Sequence, residues 1–454
     1  MGVSSLNETA RLAEYTSQVR VEDLPADVLE RAKLLILDNL GCQVAGVEMP
    51  WAKRIFDAIA PMSASGRSTV VGKGISLAPD AAAFLNGVVG HSNESDDTHL
   101  KSPTHPGAVA IPAALAMGEH VGVDGATLIA ATVASYEAQL RISYSVSPAM
   151  FTRGHHPPLA VGPFGSAAAA SRTLGLGPEE TRSAFSIAGS FAGGQMEYTQ
   201  TGGSVKRLHC GIPSASGLRA TLLAQAGVTG PPTVLEGKRG FCAAFAGDYD
   251  RDDLVRDLGT TYLLREVSIK LYSCCHLNHQ ALDGMRDLLE VQPFTSDDVA
   301  RIRILTTNPS VIHHVGTIIE PKDVLGAQFS ISFSLAMYLH GLKCQWWDYT
   351  SIDLNDPKLV DLSRRIRMEL VDGDRSTFQS GVELVVEMRD GTVRELAVPY
   401  AKGEPENPAG RVDVVEKFHR LVEPVIGRDR ADEIVSVVDG LEDLDDVRRL
   451  GGLL

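Results

Sequence analysis

The chain has 454 residues, of which 44% are hydrophobic and 22% are charged. This length exceeds what one hydrophobic core usually supports, so we expect two domains of unequal size. Lys and Arg number 42 while Asp and Glu number 57, and the resulting net charge of −15 argues against nucleic acid as the main partner, because phosphate binding needs a basic surface.

The cysteines and the amino-terminal segment bear on the cellular compartment. Six cysteines are scattered through the chain without the spacing of a disulfide framework, which is typical of a reducing compartment. The first thirty residues are acidic and lack the basic start and apolar core of a signal peptide. No apolar run reaches the roughly 18 to 20 residues of a membrane span. We therefore expect a cytoplasmic protein with no membrane partner.

The first part of the chain, to about residue 265, is predicted to be helical. Pro25–Leu40 carries apolar residues at three- and four-residue spacing, and Gly41 is expected to stop or bend this helix. Later helical segments are rich in Ala and Gly, whose small side chains permit close packing on all sides. These segments are Pro106–Met117, Gly125–Arg141, Pro163–Leu174, Gly177–Ala192 and Ser214–Ala226.

After about Val267 the pattern changes to strands mixed with helices. Apolar and polar residues alternate in Val299–Thr307 and Ile366–Val371, and Val382–Val398 is predicted to be a hairpin with Asp390-Gly391 at its turn. Helical patterns occur at 277–291 and 329–342, and they return from 407 to 450. The fold class expected is mainly α with an α+β part. A large helical domain is built from residues 1–266 and 405–454, and a smaller α+β lid domain is inserted at 267–404.

The segment from His91 to His105 is the first candidate for a functional site. It holds three histidines and three carboxylates in fifteen residues, and Pro103, Pro106 and Gly107 prevent a continuous helix. It contains too few apolar residues to bury itself, so its side chains are predicted to converge on a catalytic or ligand pocket. These histidines and carboxylates are His91, Glu94, Asp96, Asp97, His99 and His105.

Three interpretations of this segment stay open on residue type alone. Imidazoles and carboxylates are the usual ligands of Zn²⁺, Mn²⁺ or Fe²⁺, although the segment lacks a helical HxxxH pair or a CxxC motif. The same groups could act as acids and bases. Alternatively, Asp96 and Asp97 could cap the helix expected after Pro106, and His91 could be a buried histidine with its hydrogen bonds satisfied.

Four segments together resemble the MmgE/PrpD family, which includes 2-methylcitrate dehydratase, cis-aconitate decarboxylase and iminodisuccinate epimerase. The likeness runs from Asp38-Asn-Leu-Gly-Cys42 to Phe329-Ser330 and covers most of the chain. The segments are Asn86-Gly87 through Thr104-His105-Pro106-Gly107, then Gly154-His155-His156-Pro157 with Gly162 and Gly165-Ser166, then Lys206-Arg207-Leu208-His209-Cys210-Gly211, and finally Ile269-Lys270 through Tyr272, Cys274-Cys275-His276 and His279.

The resemblance implies a helical domain with an inserted lid, a homodimer, and a site at the domain junction that uses no cofactor and no metal. Family members act on small di- and tricarboxylates by loss of water, loss of carbon dioxide, or proton transfer beside a carboxylate. The histidine of the family's Thr-His-Pro element falls on His105, and that of its His-Pro element falls on His156. The two family lysines fall on Lys206 and Lys270.

The chain departs from the family pattern in its acidic run and after the second lysine, and a tyrosine of some members has no clear match near Val311 to His314. The acidic run that usually reads Asp-Phe-Asp-Asp is Glu94-Ser95-Asp96-Asp97 here, with one extra residue before His105, so Glu94 replaces the active-site aspartate. In the family's decarboxylases a histidine lies five residues after the second lysine, and here Cys275 takes that place. His276 follows it directly, and His279 lies where many members have a second histidine.

The chemistry that the resemblance implies needs cations, a base and an acid. Removing a proton beside a carboxylate develops negative charge on oxygen, which Lys206, Lys270 and protonated His156 can stabilise. We expect His105 to transfer the proton, with Glu94 or Asp96 as its partner or as a second acid–base group. His209 is predicted to be a buried structural residue, and Lys206 could alternatively cap a loop. Substrate binding is predicted for Arg207, Lys270, Cys275, His276 and His279.

The function expected is that of a cofactor-free lyase of the 2-methylcitrate dehydratase type, acting on a small polycarboxylate. Its nearest alternatives are a decarboxylase or an epimerase on the same scaffold. A catalytically weak carboxylate-binding protein and a metalloenzyme are the remaining alternatives.

Overall fold

The computed structural model describes residues 7–373 and 381–454, which form two compact units. The larger unit takes the described residues of Met1–Ser92, Asp96–Val267 and Val414–Leu454, and the smaller takes Asn93–Ser95 with those of Ser268–Asp413. The protein is mainly helical with a smaller α+β part, as predicted.

Sequence periodicity predicted the positions of several helices of the larger unit, but not all of their ends. Helix α2 continues through Gly41 to Gly46, so the expected stop at Gly41 is wrong. Gly41 instead lets the ring of Phe418 pack close to the helix backbone, which is a reason for a glycine that does not break the helix. The helices up to Val267 are α1 Glu8–Gln18, α2 Ala26–Gly46, α3 Pro50–Ile59, α4 Pro79–Gly90, α5 Gly107–Val121, α6 Gly125–Val146, α7 Ala149–Thr152, α8 Pro157–Thr173, α9 Pro178–Ala188, α10 Tyr198–Thr201, α11 Leu208–Gln225 and α12 Phe241–Phe245.

A short antiparallel strand pair lies within this helical unit and was not predicted. Strand β1, Ser65–Val70, pairs with β2, Ile75–Leu77. Gly72 and Gly74 in the connecting turn have φ values of +68° and +60°, a conformation that glycine adopts without strain. The segment shows little apolar alternation, which is why its sequence carries no clear strand signal.

Small residues let the central helices of the larger unit approach one another closely. A methyl group on Gly165 of α8 would collide with the side chain of Gln139 on α6, and one on Gly217 of α11 would collide with the Ser166 hydroxyl on α8. Helices α8 and α11 begin before their predicted starts at Pro163 and Ser214, at Pro157 and Leu208. Pro163 and Pro213 lie inside these helices, where the surrounding packing tolerates the lost backbone hydrogen bond.

The smaller unit contains a four-stranded sheet of order β4-β3-β5-β6. Strands β3, Val299–Thr306, and β4, Ile366–Leu370, run parallel, while β5, Val382–Met388, is antiparallel to both β3 and β6, Val393–Val398. The predicted strands and the hairpin turn at Asp390-Gly391 are therefore confirmed. The helices of this unit are α13 His279–Val291, α14 Pro309–Val311, α15 Val324–Gln328, α16 Ile331–Leu339, α17 Trp346–Ser351 and α18 Pro357–Arg364.

The boundaries of the smaller unit differ from the predicted range of 267–404. The unit extends to Asp413 and also includes Asn93–Ser95, which sequence position alone assigned to the helical domain. The Gln328 side chain donates to the Asn93 carbonyl at 3.0 Å, and the hydroxyls of Ser95 and Ser273 are 2.7 Å apart. These long-range hydrogen bonds hold the short segment, and periodicity cannot reveal them.

The carboxy-terminal helices complete the larger unit, so both ends of the chain build it. These helices are α19 Arg411–Ile426, α20 Arg428–Asp439 and α21 Arg448–Gly451. Lys417 on α19 forms a buried ion pair with Asp38 on α2, with 2.5 Å between Nζ and Oδ1. Among the described helices, none combines the length and the apolar composition needed to cross a lipid bilayer.

Candidate active site

The first functional segment is anchored by Asp97 at the start of α5. The carboxylate of Asp97 accepts hydrogen bonds from the Gly107 backbone N–H at 3.0 Å and from the Tyr136 hydroxyl at 2.6 Å. Burial raises the pKa of Asp97 to about 7. Asp97 therefore caps the helix that follows Pro106, which confirms for this residue the capping interpretation.

His105 is held by the same short segment in one tautomer. Its Nδ1 lies 2.8 Å from the Asp97 backbone carbonyl and 3.2 Å from Oδ2 of Asp96. A carbonyl oxygen can only accept, so Nδ1 carries a proton and donates it. The neutral ring of His105 therefore has its lone pair on Nε2, which makes Nε2 the atom that can act as a base.

His91 shares the carboxylate of Asp96 with His105. Its Nδ1 lies 2.7 Å from Asp96 Oδ2, and the centroids of the two imidazole rings are 5.0 Å apart. Burial lowers the pKa of His91 to about 4, although the nearby Asp96 carboxylate opposes this shift. Within the described part of the chain, Nε2 of His91 has no hydrogen-bond partner.

His156, at the start of α8, lies beside these residues. We call His91, Asp96, His105, His156 and His209 the histidine cluster. His156 occupies the N-cap position before Pro157, and its ring centroid lies 6.1 Å from that of His91. Its Nδ1 lies 2.9 Å from Nδ1 of His209, and the edge of the Tyr198 ring packs against both imidazoles.

The electrostatic surroundings keep His156 neutral in this structure. Burial lowers its pKa well below 6.5, and the neighbouring His91, His209 and Lys206 act in the same direction. This shift disfavours the cation role predicted for protonated His156. Of the other two groups predicted for that role, Lys206 lies in the larger unit and Lys270 in the smaller.

Lys206 and Arg207 lie in a single 3-10 turn, Val205–Arg207, directly before α11. Both side chains are buried, with 6% and 5% of their surface exposed. The ammonium group of Lys206 lowers the pKa values of His91, His156 and His209, so its charge acts on the histidine cluster. The Arg207 guanidinium lies 5.1 Å from the ring centroid of Trp51.

Sequence reasoning gave His91 an uncertain role and missed how His209, Tyr198 and Trp51 are placed. The indole N–H of Trp51 donates to the hydroxyl of Ser92 at 3.0 Å, next to His91 in the chain. His209 follows Lys206 by three residues, a spacing that places two side chains on one face of a helical turn, so its position could have been found. No sequence signal links Trp51 or Tyr198 to the cluster.

The histidine cluster also contains a group with the spacing of a metal site. Ligand atoms of His91, Asp96 and His105 lie within 4.8 Å of one another. A metal requires its imidazole ligands to be deprotonated at the binding nitrogen. Here, however, the Nδ1 atoms that face Asp96 act as hydrogen-bond donors, to that carboxylate and to the Asp97 carbonyl. These hydrogen bonds account for the close spacing of the three residues without a cation. A nitrogen that carries a proton cannot bind a metal, so the Nδ1 atoms do not fit a resident metal.

The smaller unit holds the remaining predicted site residues, beginning with Glu94 and Lys270. Nζ of Lys270 lies 3.7 Å from the Glu94 carboxylate and donates to the Glu94 carbonyl at 3.3 Å. Both side chains are only 2% exposed. Glu94 has a φ of +56°, a left-handed conformation that is costly for a residue other than glycine.

His276, His279 and Cys275 lie together near the start of α13. The two imidazoles stack, with their centroids 4.8 Å apart and an interplanar angle of 12°. Nδ1 of His276 is 3.7 Å from the carboxylate of Glu404, whose pKa is raised to about 8 by burial. The backbone N–H of Cys275 donates to the Gln328 carbonyl at 2.9 Å, and the thiol is reduced.

The ten predicted site residues thus fall into two groups, one in each unit. In the larger unit, the positive charge of Lys206 lowers the pKa values of three histidines of the histidine cluster, His91, His156 and His209. The predicted residues of this unit are Asp96, His105, His156, Lys206 and Arg207, and those of the smaller unit are Glu94, Lys270, Cys275, His276 and His279.

Known proteins resemble this chain along nearly its whole length. A cis-aconitate decarboxylase of Aspergillus terreus is 30% identical over 470 residues, which cover 98% of this chain and 95% of that protein. A cis-aconitate decarboxylase of Mus musculus is 28% identical over 461 residues, covering 98% and 93%. A mitochondrial 2-methylcitrate dehydratase of Yarrowia lipolytica is 25% identical over 444 residues, covering 90% and 82%.

Two domain families cover most of the sequence. The MmgE/PrpD N-terminal domain matches residues 10–253, which include the histidine cluster. The MmgE/PrpD C-terminal domain matches residues 272–443. These matches confirm the resemblance that the four sequence segments carried, and the chain belongs to the MmgE/PrpD family of enzymes.

Proposed function

We propose that this protein is a lyase that acts on a small di- or tricarboxylate by general acid–base catalysis, without a bound cofactor. The observation that carries the proposal is the hydrogen bonding of His105. Its Nδ1 proton is held by the Asp97 carbonyl and the Asp96 carboxylate, so a lone pair at Nε2 is available for a substrate proton. Membership of a family of lyases supports the same conclusion.

The proposed base step follows from this arrangement. Nε2 of His105 takes the proton from a carbon beside a substrate carboxylate, and the ring becomes an imidazolium. The imidazolium is paired with Asp96 at 3.2 Å. Negative charge that develops on the substrate oxygens is stabilised by the buried ammonium of Lys206, an interaction that is stronger away from bulk water.

The second half of the reaction needs an acid, and His156 is the residue proposed for it. In a dehydration, the acid protonates the departing hydroxyl, which leaves as water. A decarboxylation needs no base step: when carbon dioxide leaves, the electron pair of the broken C–C bond stays on carbon, and this carbanion takes the proton from the acid. His156 is neutral at rest, so it first takes a proton from solvent at Nε2. Because burial lowers its pKa well below 6.5, the resulting imidazolium gives that proton up readily.

Decarboxylation of a cis-aconitate-like substrate is the first reaction to test. Relatives at 28% and 30% identity are named cis-aconitate decarboxylase, whereas the 2-methylcitrate dehydratase is 25% identical. Dehydration, which the sequence placed first, becomes the second candidate. Cys275 stands where the family's decarboxylases have a histidine, so dehydration and epimerisation are tested as well as decarboxylation.

The test is to incubate the enzyme separately with cis-aconitate, 2-methylcitrate and a chiral amino dicarboxylate in heavy water. Decarboxylation appears as released carbon dioxide, dehydration as ultraviolet absorbance, and epimerisation as deuterium uptake without net conversion. His105→Gln should lower the rate of a dehydration or an epimerisation by about 10² to 10⁴-fold, because both reactions need a base for a carbon-bound proton. If the folded wild type binds these anions but converts none of them, the alternative of a carboxylate-binding protein is favoured.

The residues of the smaller unit are proposed to bind substrate and are tested separately. Lys270→Met should raise KM, and Lys270→Arg should restore it in part, because the cation is retained. Glu94→Asp tests whether the longer carboxylate is needed. His276→Gln, His279→Gln and Cys275→Ser complete the set, and unchanged kinetics in any of them would remove that residue from the proposal.

A further inference from the structure

We propose that His209 is a positioning residue for His156. Nδ1 of His209 accepts a hydrogen bond from Nδ1–H of His156, and this contact makes Nε2 of His156 the atom that gains and loses the proton. The catalytic consequence rests on the proposed function, whereas the hydrogen bond itself can be tested without any substrate.

A single proton lies between the two rings. The Nδ1 atoms are 2.9 Å apart, a normal hydrogen-bond distance. Two N–H groups would clash at this distance, and two lone pairs would repel each other. One ring must therefore donate while the other accepts. While the bond is intact, the pair carries at most one positive charge.

The neighbouring histidines indicate which of the two rings donates the hydrogen bond. His105 and His91 each turn Nδ1–H towards an acceptor of the protein, namely the Asp97 carbonyl and the Asp96 carboxylate. For His156, the Nδ1 of His209 is the acceptor in the corresponding place. Within the described residues, no hydrogen bond engages Nε2 of His156. With His156 as the donor, all three imidazoles share one arrangement and keep the lone pair on Nε2.

The surroundings of His209 agree with its role as the acceptor. As the acceptor, His209 carries its own proton on Nε2. Burial lowers the pKa of His209 to about 4 and holds that of His156 well below 6.5, and His209 is the less completely enclosed of the two. An N–H group directed away from the pair costs less there than it would on His156.

The arrangement determines how His156 can handle a proton. A proton added at Nε2 gives an imidazolium whose Nδ1–H is still held by His209, and the same proton leaves from Nε2. Neither ring has to become an anion at any stage. His105 is backed by the carboxylate of Asp96, whereas His156 is backed by a neutral imidazole and faces the charge of Lys206. The proposed base and acid therefore differ in the group that their Nδ1–H contacts, which is a carboxylate for His105 and a neutral imidazole for His156.

The first experiment measures the tautomer directly in the full-length wild-type protein. Histidine labelled with ¹⁵N is incorporated, and the His156 signals are assigned by their loss in His156→Gln. We expect a protonated Nδ1 and an unprotonated Nε2 for His156 at neutral pH, and the reverse for His209. A protonated Nε2 on neutral His156 would overturn the proposal.

The second experiment changes the acceptor while keeping or removing its hydrogen-bonding ability. His209→Asp supplies a charged acceptor, so the pKa of His156 measured by NMR should rise by about 1–3 units, with the Nδ1–H tautomer kept. His209→Leu removes the acceptor. The kcat of His209→Leu should fall by at least about 10-fold, and by no more than the 10² to 10⁴-fold that loss of a whole acid–base group would cause. Its KM should change far less.

The matched control is His155→Leu, since His155 packs against Phe245 rather than in the histidine cluster. Thermal unfolding of each variant shows whether it folds. A folded His209→Leu protein with the kcat and pH profile of the wild type would contradict the positioning role. If no substrate is ever found, the proposed function fails, but the tautomer and the pKa of His156 in His209→Asp still decide this inference.

Discussion

Nδ1 of His105 lies 2.8 Å from the backbone carbonyl of Asp97, and the side chain of the same Asp97 caps helix α5. One residue therefore orients the proposed base through its main chain and begins the following helix through its carboxylate. This explains why carboxylates and histidines are so dense in this segment. Both carboxylate oxygens of Asp97 already accept hydrogen bonds, from the Gly107 N–H and the Tyr136 hydroxyl, so this side chain supports the segment rather than the substrate.

Replacing the proposed base should separate catalysis from folding. We expect His105→Gln to lower kcat by about 10² to 10⁴-fold, because the amide cannot take a proton from carbon. Steady-state kinetics and isothermal titration with a substrate anion would show lost turnover with retained binding. Asp97→Ala is the matched comparison and should mainly lower the free energy of unfolding, by about 0.5–2 kcal/mol for the lost cap. Equal loss of turnover and stability in both variants would contradict this division.

The charge of Lys206 should be visible in the titration of His209. Burial and this ammonium group together lower the pKa of His209 to about 4. In Lys206→Met the pKa should move up towards 6.5, because a repelling charge has been removed, and KM for a carboxylate substrate should rise. The C2 proton signal of His209 followed by NMR provides the measurement. Lys206→Arg retains the cation and should stay near the wild type.

The buried ion pair between Lys417 and Asp38 should stabilise the larger unit. Lys417→Met leaves Asp38, which is 1% exposed, as a buried charge without its partner. We expect the free energy of unfolding to fall by about 3–5 kcal/mol. Lys53→Met is the control, because the Lys53 side chain is 75% exposed and its pair with Asp57 should contribute no more than about 1 kcal/mol. Chemical denaturation monitored by circular dichroism would distinguish the two.

Glu119 should make stability depend on pH in a predictable direction. Burial raises the pKa of this carboxyl from 4.5 to about 7, although Thr69 donates two hydrogen bonds to it. The folded protein holds the proton more tightly, so this contribution is present below pH 4.5 and is lost as the pH rises through 7. The stability of the wild type relative to Glu119→Gln should therefore decrease between pH 5 and about 7. Glu179→Gln, at a side chain that is 73% exposed, should show no such trend.

Removal of metal ions should leave the reaction intact. The imidazole nitrogens that face Asp96 act as hydrogen-bond donors, so the proposed acid–base chemistry does not depend on a cation there. We expect full activity after dialysis against a strong chelator, measured with the substrate identified in the first test. Activity that is lost on chelation and restored by one particular metal would make His91, Asp96 and His105 a ligand set instead.

Periodicity and motif spacing in the sequence were enough for the fold class, most of the longer helices, the strands of the four-stranded sheet and the family. These features depend on local patterns of apolar residues and on short motifs such as Thr104-His105-Pro106, which are legible without coordinates. Sequence spacing also selected His105, His156 and Lys206, which the structure places in or next to one histidine cluster.

Only the tertiary structure determines which nitrogen of each histidine carries the proton and which group accepts its hydrogen bond. The lone pair of His105 on Nε2 follows from a carbonyl eight residues earlier in the chain, and the state of His156 follows from His209, which is 53 residues away. The inclusion of Asn93–Ser95 in the smaller unit depends on contacts with Ser273 and Gln328. Burial and hydrogen-bond partners arise from the whole packed chain, whereas residue type and spacing describe only a local stretch of it.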